Sequence, residues 1–203
     1  MNGVLVDGET VYPSKVVCIG RNYVAHIQEL GNETPEQPVI FVKPNSAIAK
    51  VLCTCAHDEV HYEAEMTFVV QSGQLNAVGF GLDLTKRALQ SALKAKGLPW
   101  ERAKAFDKSA VFSQFVPFKG DVSELRMELY INEQLIQLAT YDLMIHKPAD
   151  IVAEVSSFMT LNDSDLLMTG TPKGVGKLNV GDQFVGKIFQ QKTLLVEHSW
   201  QVT

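Results

Sequence analysis

The sequence predicts an α+β fold, a mixed β-sheet carrying a few flanking helices, and three observations lead there. Short apolar runs with period-two alternation or β-branched enrichment recur along the chain, marking strands. Helical signals are confined to 21–30, 84–96 and 148–160. No internal repeat or low-complexity linker divides the chain, and its 203 residues suffice for a single catalytic domain over 1–203 with a sizeable core.

The elements follow in order. VLVDGETVYP, within an N-terminal unit 1–14, reads as a hairpin turning at Asp7-Gly8. Lys15 to Ile19 is a buried strand ending at Gly20, and Arg21 to Leu30 is a helix stopped by Gly31-Asn32. A Pro-punctuated loop leads to the strand VIFVK, halted by Pro44, and EAEMTFVV is a further strand. The spacing predicts a helix over 84–96 that ends at Gly97-Leu98-Pro99, with Asp83 at its mouth and Leu84, Ala88, Ala92 and Ala95 as its apolar stripe. ELRMELYINEQLIQLATY is a hairpin bending near Asn132-Glu133, and Pro148 opens the last helix. The C-terminal third returns to strands joined by the loop 170–176.

Composition excludes several classes. With 46% hydrophobic and 20% charged residues the chain is that of an ordinary soluble globular protein, and its net charge of −5 argues against general nucleic-acid or membrane-surface binding. No apolar run reaches the roughly 20 residues that span a bilayer, and the N-terminus lacks a signal-peptide pattern, so a cytoplasmic location is expected. Three cysteines, two of them as C-x-C, fit free thiols better than disulfides or a zinc knuckle.

The chemistry concentrates in residues 61–104. Glu63 and Glu65 are two apart in a strand, so both carboxylates project from one face. Two anions on an apolar strand resist burial unless a cation sits between them. Asp83 supplies a third carboxylate. Three hard oxygen ligands without His or Cys suit Mg²⁺, Mn²⁺ or Ca²⁺ rather than zinc. On the expected helix Asp83, Arg87 and Gln90 share a face at i, i+4 and i+7, so the guanidinium and amide stand ready to grip a carboxylate beside the metal. His26 and Glu29, three apart on a helix, pair a carboxylate with an imidazole and raise its basicity. The loop Gly170–Gly176 lacks P-loop spacing, and what survives is a tight turn whose amides and Thr171 hydroxyl could hold a carboxylate.

These residues belong to an ordered set: Arg21-Asn22-Tyr23-x-x-His26, Phe41-Val42-Lys43-Pro44, His61-Tyr62-Glu63-x-Glu65, Asp83-Leu84-Thr85-x-Arg87-x-x-Gln90, Gly97-Leu98-Pro99-Trp100, Lys104-Ala105-Phe106-Asp107 and Thr169 to Gly176. The set resembles the fumarylacetoacetate hydrolase family, in its short branch of acylpyruvases, oxaloacetate decarboxylases and oxaloacetate tautomerases, over roughly residues 15–203. The resemblance implies a mixed β-roll, a homodimer with much of its contact from the C-terminal strands, and a Mg²⁺ or Mn²⁺ site at Glu63, Glu65 and Asp83. It further implies that Arg21, Arg87, Gln90 and Thr171 bind substrate beside Lys104, and that His26 and Glu29 form a general-base dyad on a mobile lid region, 20–37. The sequence departs from the family at Ala88, where an acidic residue is usual, and in the shortened segments before the metal strand and at 71–78.

Such a site suits a small β-keto or β,δ-diketo acid reacting through an enolate. Acylpyruvate C–C hydrolysis and oxaloacetate decarboxylation are the leading expectations. Oxaloacetate keto–enol tautomerisation or a 2-hydroxydienedioate isomerase/hydratase reaction is the alternative, and a non-enzymatic metal-binding protein a remote one.

Overall fold

The computed structural model describes residues 1–31, 33, 35–55 and 58–203. Asn32, part of the expected stop of the first helix, lies outside the described residues.

The central feature is an eight-stranded mixed sheet. Its path runs β4 (Val39–Pro44), β3 (Lys15–Gly20), β14 (Leu166–Met168), β7 (Ala64–Gln71), β8 (Gln74–Asp83), β10 (Ala110–Phe112) and β5 (Ile48–Ala49), with β11 (Val116–Pro117) also paired to β8. β3 runs parallel to β14 and β5 to β10, and the remaining neighbours are antiparallel. An antiparallel sheet of β13 (Gln134–Thr140), β12 (Leu125–Ile131), β16 (Gln183–Gln190) and β17 (Thr193–Gln201) packs over one face. Smaller pairings join β15 (Gly176–Lys177), β6 (Val60–Tyr62) and β9 (Thr85–Lys86), and form the N-terminal hairpin of β1 (Val4–Val6) and β2 (Glu9–Val11). Among the described residues four α-helices flank these sheets: α1 (Val24–Glu29), α2 (Arg87–Ala95), α3 (Glu101–Lys104) and α4 (Pro148–Phe158). The fold is α+β, as the strand-rich pattern predicts. No helix among the described residues is long and apolar enough to cross a membrane.

Strand parity decides what each face does. Met66 and Phe68 of β7 and Val78, Phe80 and Leu82 of β8 face the four-stranded sheet, where they meet Leu125, Met127, Leu129, Phe184 and Ile188. Each such large side chain contributes about 2–3 kcal/mol by leaving water. Val69 and Ala77 point the other way, toward Cys18, Phe112, Phe115, Leu166 and Met168. Glu65 and Asp83 carry this second parity, so the sheet places both carboxylates on one face near the end of the β7–β8 pair.

The hairpins form as expected. Asp7 and Gly8 take positive φ (49° and 82°), as do Asn132 and Glu133 (48° and 69°), which is the twist a two-residue hairpin turn needs. α4 starts at Pro148 and buries Ile151 and Val155 against Val17, Ile19 and Leu167.

Two expectations need correction. The helix expected over 84–96 begins only at Arg87, and Asp83 ends β8 instead. Backbone partners win there: Asp83 pairs with Ala110, Leu84 N–H donates to the Ser109 carbonyl at 2.9 Å, and Thr85–Lys86 pair with β6. The shared-face argument for Asp83, Arg87 and Gln90 therefore fails, and so does the apolar stripe. α2 buries Gln90 and Leu93, while Ala88, Ala92 and Ala95 are exposed, because it packs its polar side on the site. The helix expected over 21–30 likewise starts at Val24. Arg21 sits in the left-handed region (φ 57°) and Tyr23 is extended, bridging Met144, so neither residue can be helical.

One buried acid ties the parallel pair β3–β14 together. The Asp165 side chain is fully buried and accepts hydrogen bonds from Ser14 N–H (3.0 Å), Ser14 Oγ (2.6 Å), Lys15 N–H (3.2 Å) and Asn162 N–H (2.9 Å), besides its ion pair with Lys15. Burial pushes its pKa up, but the bonds from Lys15, Ser14 and Asn162 outweigh that and hold it below the usual range. A carboxyl depressed on folding contributes stability above its unfolded pKa of ~3.9, and the contribution fades as pH falls through the folded value. Asp165→Asn should therefore cost about 2–4 kcal/mol at pH 7 and progressively less below pH 4. Urea unfolding of both proteins at the two pH values checks the size and the sign.

Candidate active site and metal centre

Glu63, Glu65 and Asp83 each present a carboxylate oxygen within 4.8 Å of the others, and all three are buried. Glu63 occupies the break between β6 and β7, and its carbonyl accepts from Asp83 N–H at 2.8 Å, which locks the two acids opposite each other. Such crowding of anions survives only with nearby cations. Lys104, at the end of α3, points its ammonium between two of the acids, 2.9 Å from Glu63 Oε2 and 2.6 Å from Asp83 Oδ2, and donates to Thr85 Oγ1 at 2.6 Å. Arg87 Nη2 pairs with Glu63 Oε1 while Nη1 donates to Gln90 Oε1 at 2.8 Å. Without an acidic residue at Ala88, Glu63 and Gln90 themselves orient the guanidinium.

The three acids are not electrostatically alike. Burial alone would raise Glu63, but the Lys104 and Arg87 charges outweigh it and hold its carboxyl well below the usual range. Glu65 moves the opposite way: burial, then the Asp83 and Glu63 charges, push it well up, against a weaker pull from Lys104 and the Gly170 amide. Its hydrogen bond from Gly170 N–H is 2.6 Å, and no Lys or Arg forms an ion pair with it among the described residues. Lys104 would be lowered by burial, yet Asp83 and Glu63 raise it well above the ordinary lysine value. The donor set thus fits a hard divalent cation: three carboxylates, one of them uncompensated, and an Asp83 Oδ1 that accepts no aligned hydrogen bond although Lys43 Nζ is 2.8 Å away.

The His26–Glu29 pair forms as the i, i+3 spacing predicts. His26 is 6% exposed, and its Nδ1 lies 3.1 Å from Glu29 Oε2. The other carboxylate oxygen, Oε1, accepts from Gly174 N–H at 2.9 Å, so Glu29 also fastens α1 to the loop 170–176. His26, Arg21, Glu63, Arg87, Gln90 and Lys104 line one small cavity together with Lys94, Phe41 and Trp100. Its volume, about 30 Å³, holds little more than one or two waters. Thr171 stands apart from that wall. It is buried beside Gly170 and its hydroxyl accepts from Gln137 Nε2 at 2.8 Å. Gly170 itself has φ 88°, and a Cβ there would lie 2.8 Å from Asn22 Cβ, so the amide reaches Glu65 only from a residue without a side chain.

Three supporting residues received no role from the sequence. Lys43 is completely buried, with Nζ at 2.8 Å from Asp83 Oδ1 and donating to the carbonyls of Ser109 (3.0 Å), Leu84 (3.3 Å) and Lys104. The signal for it was a lysine inside the apolar strand VIFVK. Gln137 binds Ala64 N–H, Thr171 Oγ1 and the Pro172 carbonyl, and Asn22 binds the Thr169 carbonyl and both backbone groups of His146. A lone amide in a strand gave no signal for Gln137, and Asn22 entered only as part of the ordered set without a role.

Comparison with known proteins places the chain. Residues 15–197 match the family model for the fumarylacetoacetate (FAA) hydrolase C-terminal domain, and the chain belongs to that family. It is 40% identical over 200 residues to the Escherichia coli oxaloacetate tautomerase YcgM, covering 89% of this chain and 90% of that one. With the mitochondrial oxaloacetate tautomerase oaa1 of Schizosaccharomyces pombe it shares 37% identity over 188 residues, 83% and 85% of the two chains. A solved structure of Pseudomonas aeruginosa fumarylpyruvate hydrolase in complex with Mn²⁺ and pyruvate superposes with a TM-score of 0.90 at 30% identity, over 100% of this chain and 95% of that one.

Glu65→Gln separates a metal ligand from a structural acid. The change removes like-charge repulsion, so metal-free protein should melt at the same temperature or higher. Its Mn²⁺ affinity should fall at least ~10-fold, a loss seen even for outer-shell partners of metals. Calorimetric Mn²⁺ titration and thermal melts of the metal-free protein check both; retained affinity would remove Glu65 from the ligand set.

Proposed function

We propose that this protein is a divalent-metal-dependent enzyme that interconverts the keto and enol forms of oxaloacetate, with Mg²⁺ held by Glu63, Glu65 and Asp83. The observation that carries the reading is the buried His26, paired to Glu29, lining the same small cavity as Glu63, Arg87 and Lys104. Tautomerisation requires a base to move one proton at C3 and a charged surround for the developing oxyanion, and it requires no nucleophile. The similarity to two oxaloacetate tautomerases favours it over the cleavage reactions that lead on sequence grounds.

A divalent cation bound there supplies a Lewis acid for the charge that develops on the substrate's keto oxygen. The chain's own groups do the rest. Arg87, backed by Gln90, offers a planar fork to the carboxylate next to the keto group. Lys104, held charged by its two acids, stabilises the enolate oxygen electrostatically. Glu29 accepts from His26 Nδ1–H, which leaves the Nε2 lone pair to take the C3 proton and return it to the other tautomer. The C–H electron pair becomes the C2=C3 bond as the keto π electrons move to oxygen. α1 acts as the lid, and closing over the substrate keeps bulk water from the enolate.

A second reading is C–C cleavage of an acylpyruvate or decarboxylation of oxaloacetate, supported by the similarity to fumarylpyruvate hydrolase. In hydrolysis the same His26 would activate water toward the distal carbonyl. Proton NMR in D₂O distinguishes the outcomes with oxaloacetate and acetylpyruvate as substrates. Catalysed C3 exchange without new carbon products supports the tautomerase, whereas pyruvate from either compound supports cleavage. His26→Ala should slow exchange by the ~10²–10⁴-fold typical of losing a general base; an unchanged rate would return His26 to a lid-packing role.

The resemblance also motivates the proposal of a homodimer. Light scattering at micromolar concentration should report roughly twice the 22.4 kDa of the chain, and a monomer would refute it.

A further inference from the structure

Gln137 occupies an inward position of β13, opposite Leu129, and is buried although Leu135 and Leu138 of the same strand are turned to solvent. Its amide is held at both ends. Oε1 accepts from Ala64 N–H at 3.1 Å, while Nε2 donates to the Pro172 carbonyl and to Thr171 Oγ1, each at 2.8 Å. The loop 170–176 also presses on its stem. A Cβ at Gly174 would strike the Ile136 carbonyl oxygen and lie 3.1 Å from Gln137 Cγ, so a glycine there leaves the side chain its room.

Two of those partners fix which end of the amide is which. A backbone N–H only donates and a carbonyl only accepts, so Oε1 must face Ala64 and Nε2 must face Pro172, with no freedom to flip. The other Nε2 hydrogen therefore points at the Thr171 hydroxyl, whose oxygen accepts it. A hydroxyl carries one proton, and this one has no acceptor on Gln137. Thr171 is 3% exposed, and among the described residues its hydroxyl donates to no protein group. A buried O–H without an acceptor is costly unless a ligand completes it. The neighbouring bonds show where that ligand sits. Gly170, the residue before, gives its amide to Glu65 Oε2 at 2.6 Å, and Ala64, bonded to the same Gln137, stands between Glu63 and Glu65. The proton is thus available on the loop side of the acid centre, apart from the wall of His26, Arg87 and Lys104.

We propose that Gln137 is a positioning residue: by donating to Thr171 Oγ1 it commits the hydroxyl proton to a carboxylate oxygen of the substrate held at the acid centre. The proposal rests on the reading of that centre as a metal-bound keto-acid site. Charge and direction then come from different groups. Arg87 offers the carboxylate a cation, whereas Thr171 offers a neutral donor whose direction is set from behind. An ionised carboxylate has about four lone-pair sites, so it accepts from both at once. The amide at an inward strand position follows from this role. An apolar side chain would also pack β13 against the loop, but it would leave the hydroxyl free to turn toward the Pro172 carbonyl.

Calorimetry with oxalate on Mn²⁺-loaded protein tests the proposal, because oxalate presents adjacent oxygens as an α-keto acid does and does not react. Thr171→Val, which keeps the side-chain shape, should weaken oxalate at least ~10-fold, the size expected of a bond to a charged acceptor. Thr171→Ser should bind it within about twofold of wild type. Gln137→Met, neutral and similar in volume, should weaken oxalate at least ~3-fold alone and less than about twofold when added to Thr171→Val, since it acts only through that hydroxyl. A merely structural glutamine would behave differently. Its loss would shift the loop, disturb the Gly170 bond to Glu65 and lower Mn²⁺ affinity, whereas the proposal expects Mn²⁺ affinity within about twofold of wild type. Gln137→Leu gives the same readings should Gln137→Met not fold. Oxalate that ignores Thr171→Val or the Gln137 variant, a Gln137 loss that persists beside Thr171→Val, or oxalate that does not bind wild-type protein overturns the proposal. Coupled losses in a protein that never exchanges the C3 protons of oxaloacetate support the positioning role and sink the tautomerase reading. Exchange with additive losses does the reverse, so the two fail separately.

Discussion

The ammonium of Lys104, wedged between Glu63 and Asp83, is the interaction on which the rest of the site depends. Bringing charges out of water costs several kcal/mol per ion, and only dense pairing with hydrogen bonds offsets it. Lys104 meets that condition with two carboxylates and the Thr85 hydroxyl, and Lys43 and Arg87 extend the network to either side. Removing either an acid or a base would strand its partners without compensation, so the cluster holds its shape as a unit. Glu65 is the exception: among the described residues its hydrogen bond comes from a backbone amide, with no ion pair beside it. This asymmetry is what suits the cluster to a divalent cation.

Several features tie α1 to the acids through few atoms. Glu29 touches His26 with one oxygen and Gly174 with the other, and four residues earlier in that loop the Gly170 amide reaches Glu65. Gln137 then fastens Thr171 and Pro172 to β13 and to Ala64, the residue between the two glutamates. α1, the loop 170–176 and the strand carrying the acids are therefore linked by backbone and amide groups whose geometry allows little play.

Much of this was legible in the sequence because the informative residues obey local periodicity. Glu63 and Glu65 share a face by strand parity, and His26 and Glu29 meet by helical spacing; both relations survive in the fold. The failures came where tertiary pairing overrode local pattern. Asp83 reads as a helix opening, but β10 and β6 supply ladder partners that extend the sheet past it. In β13 the apolar Leu135 and Leu138 are exposed while Gln137 is buried, the reverse of what alternation suggests, because the inward position serves the loop rather than the core. Lys43 stood out as a charge inside an apolar strand, but its role was not legible, because its partners are a side chain 40 positions away and three carbonyls, and no spacing rule encodes such contacts.

The composition of that charge cluster has a consequence for how the chain reaches its native state. Its members come from β4, the β6–β7 junction, the end of β8 and α3, with up to 61 residues between bonded partners such as Lys43 and Lys104. None can be dehydrated early without its counter-ion, so the acids and bases must come together in one step after several loops have closed. Loop-closure entropy is spent before any of these contacts repays it, which raises the barrier for a topology of high contact order. The last barrier-crossing event in folding should thus coincide with assembly of this charge cluster, and compact states formed before it should still carry solvated charges where the finished protein has a dry, paired interior.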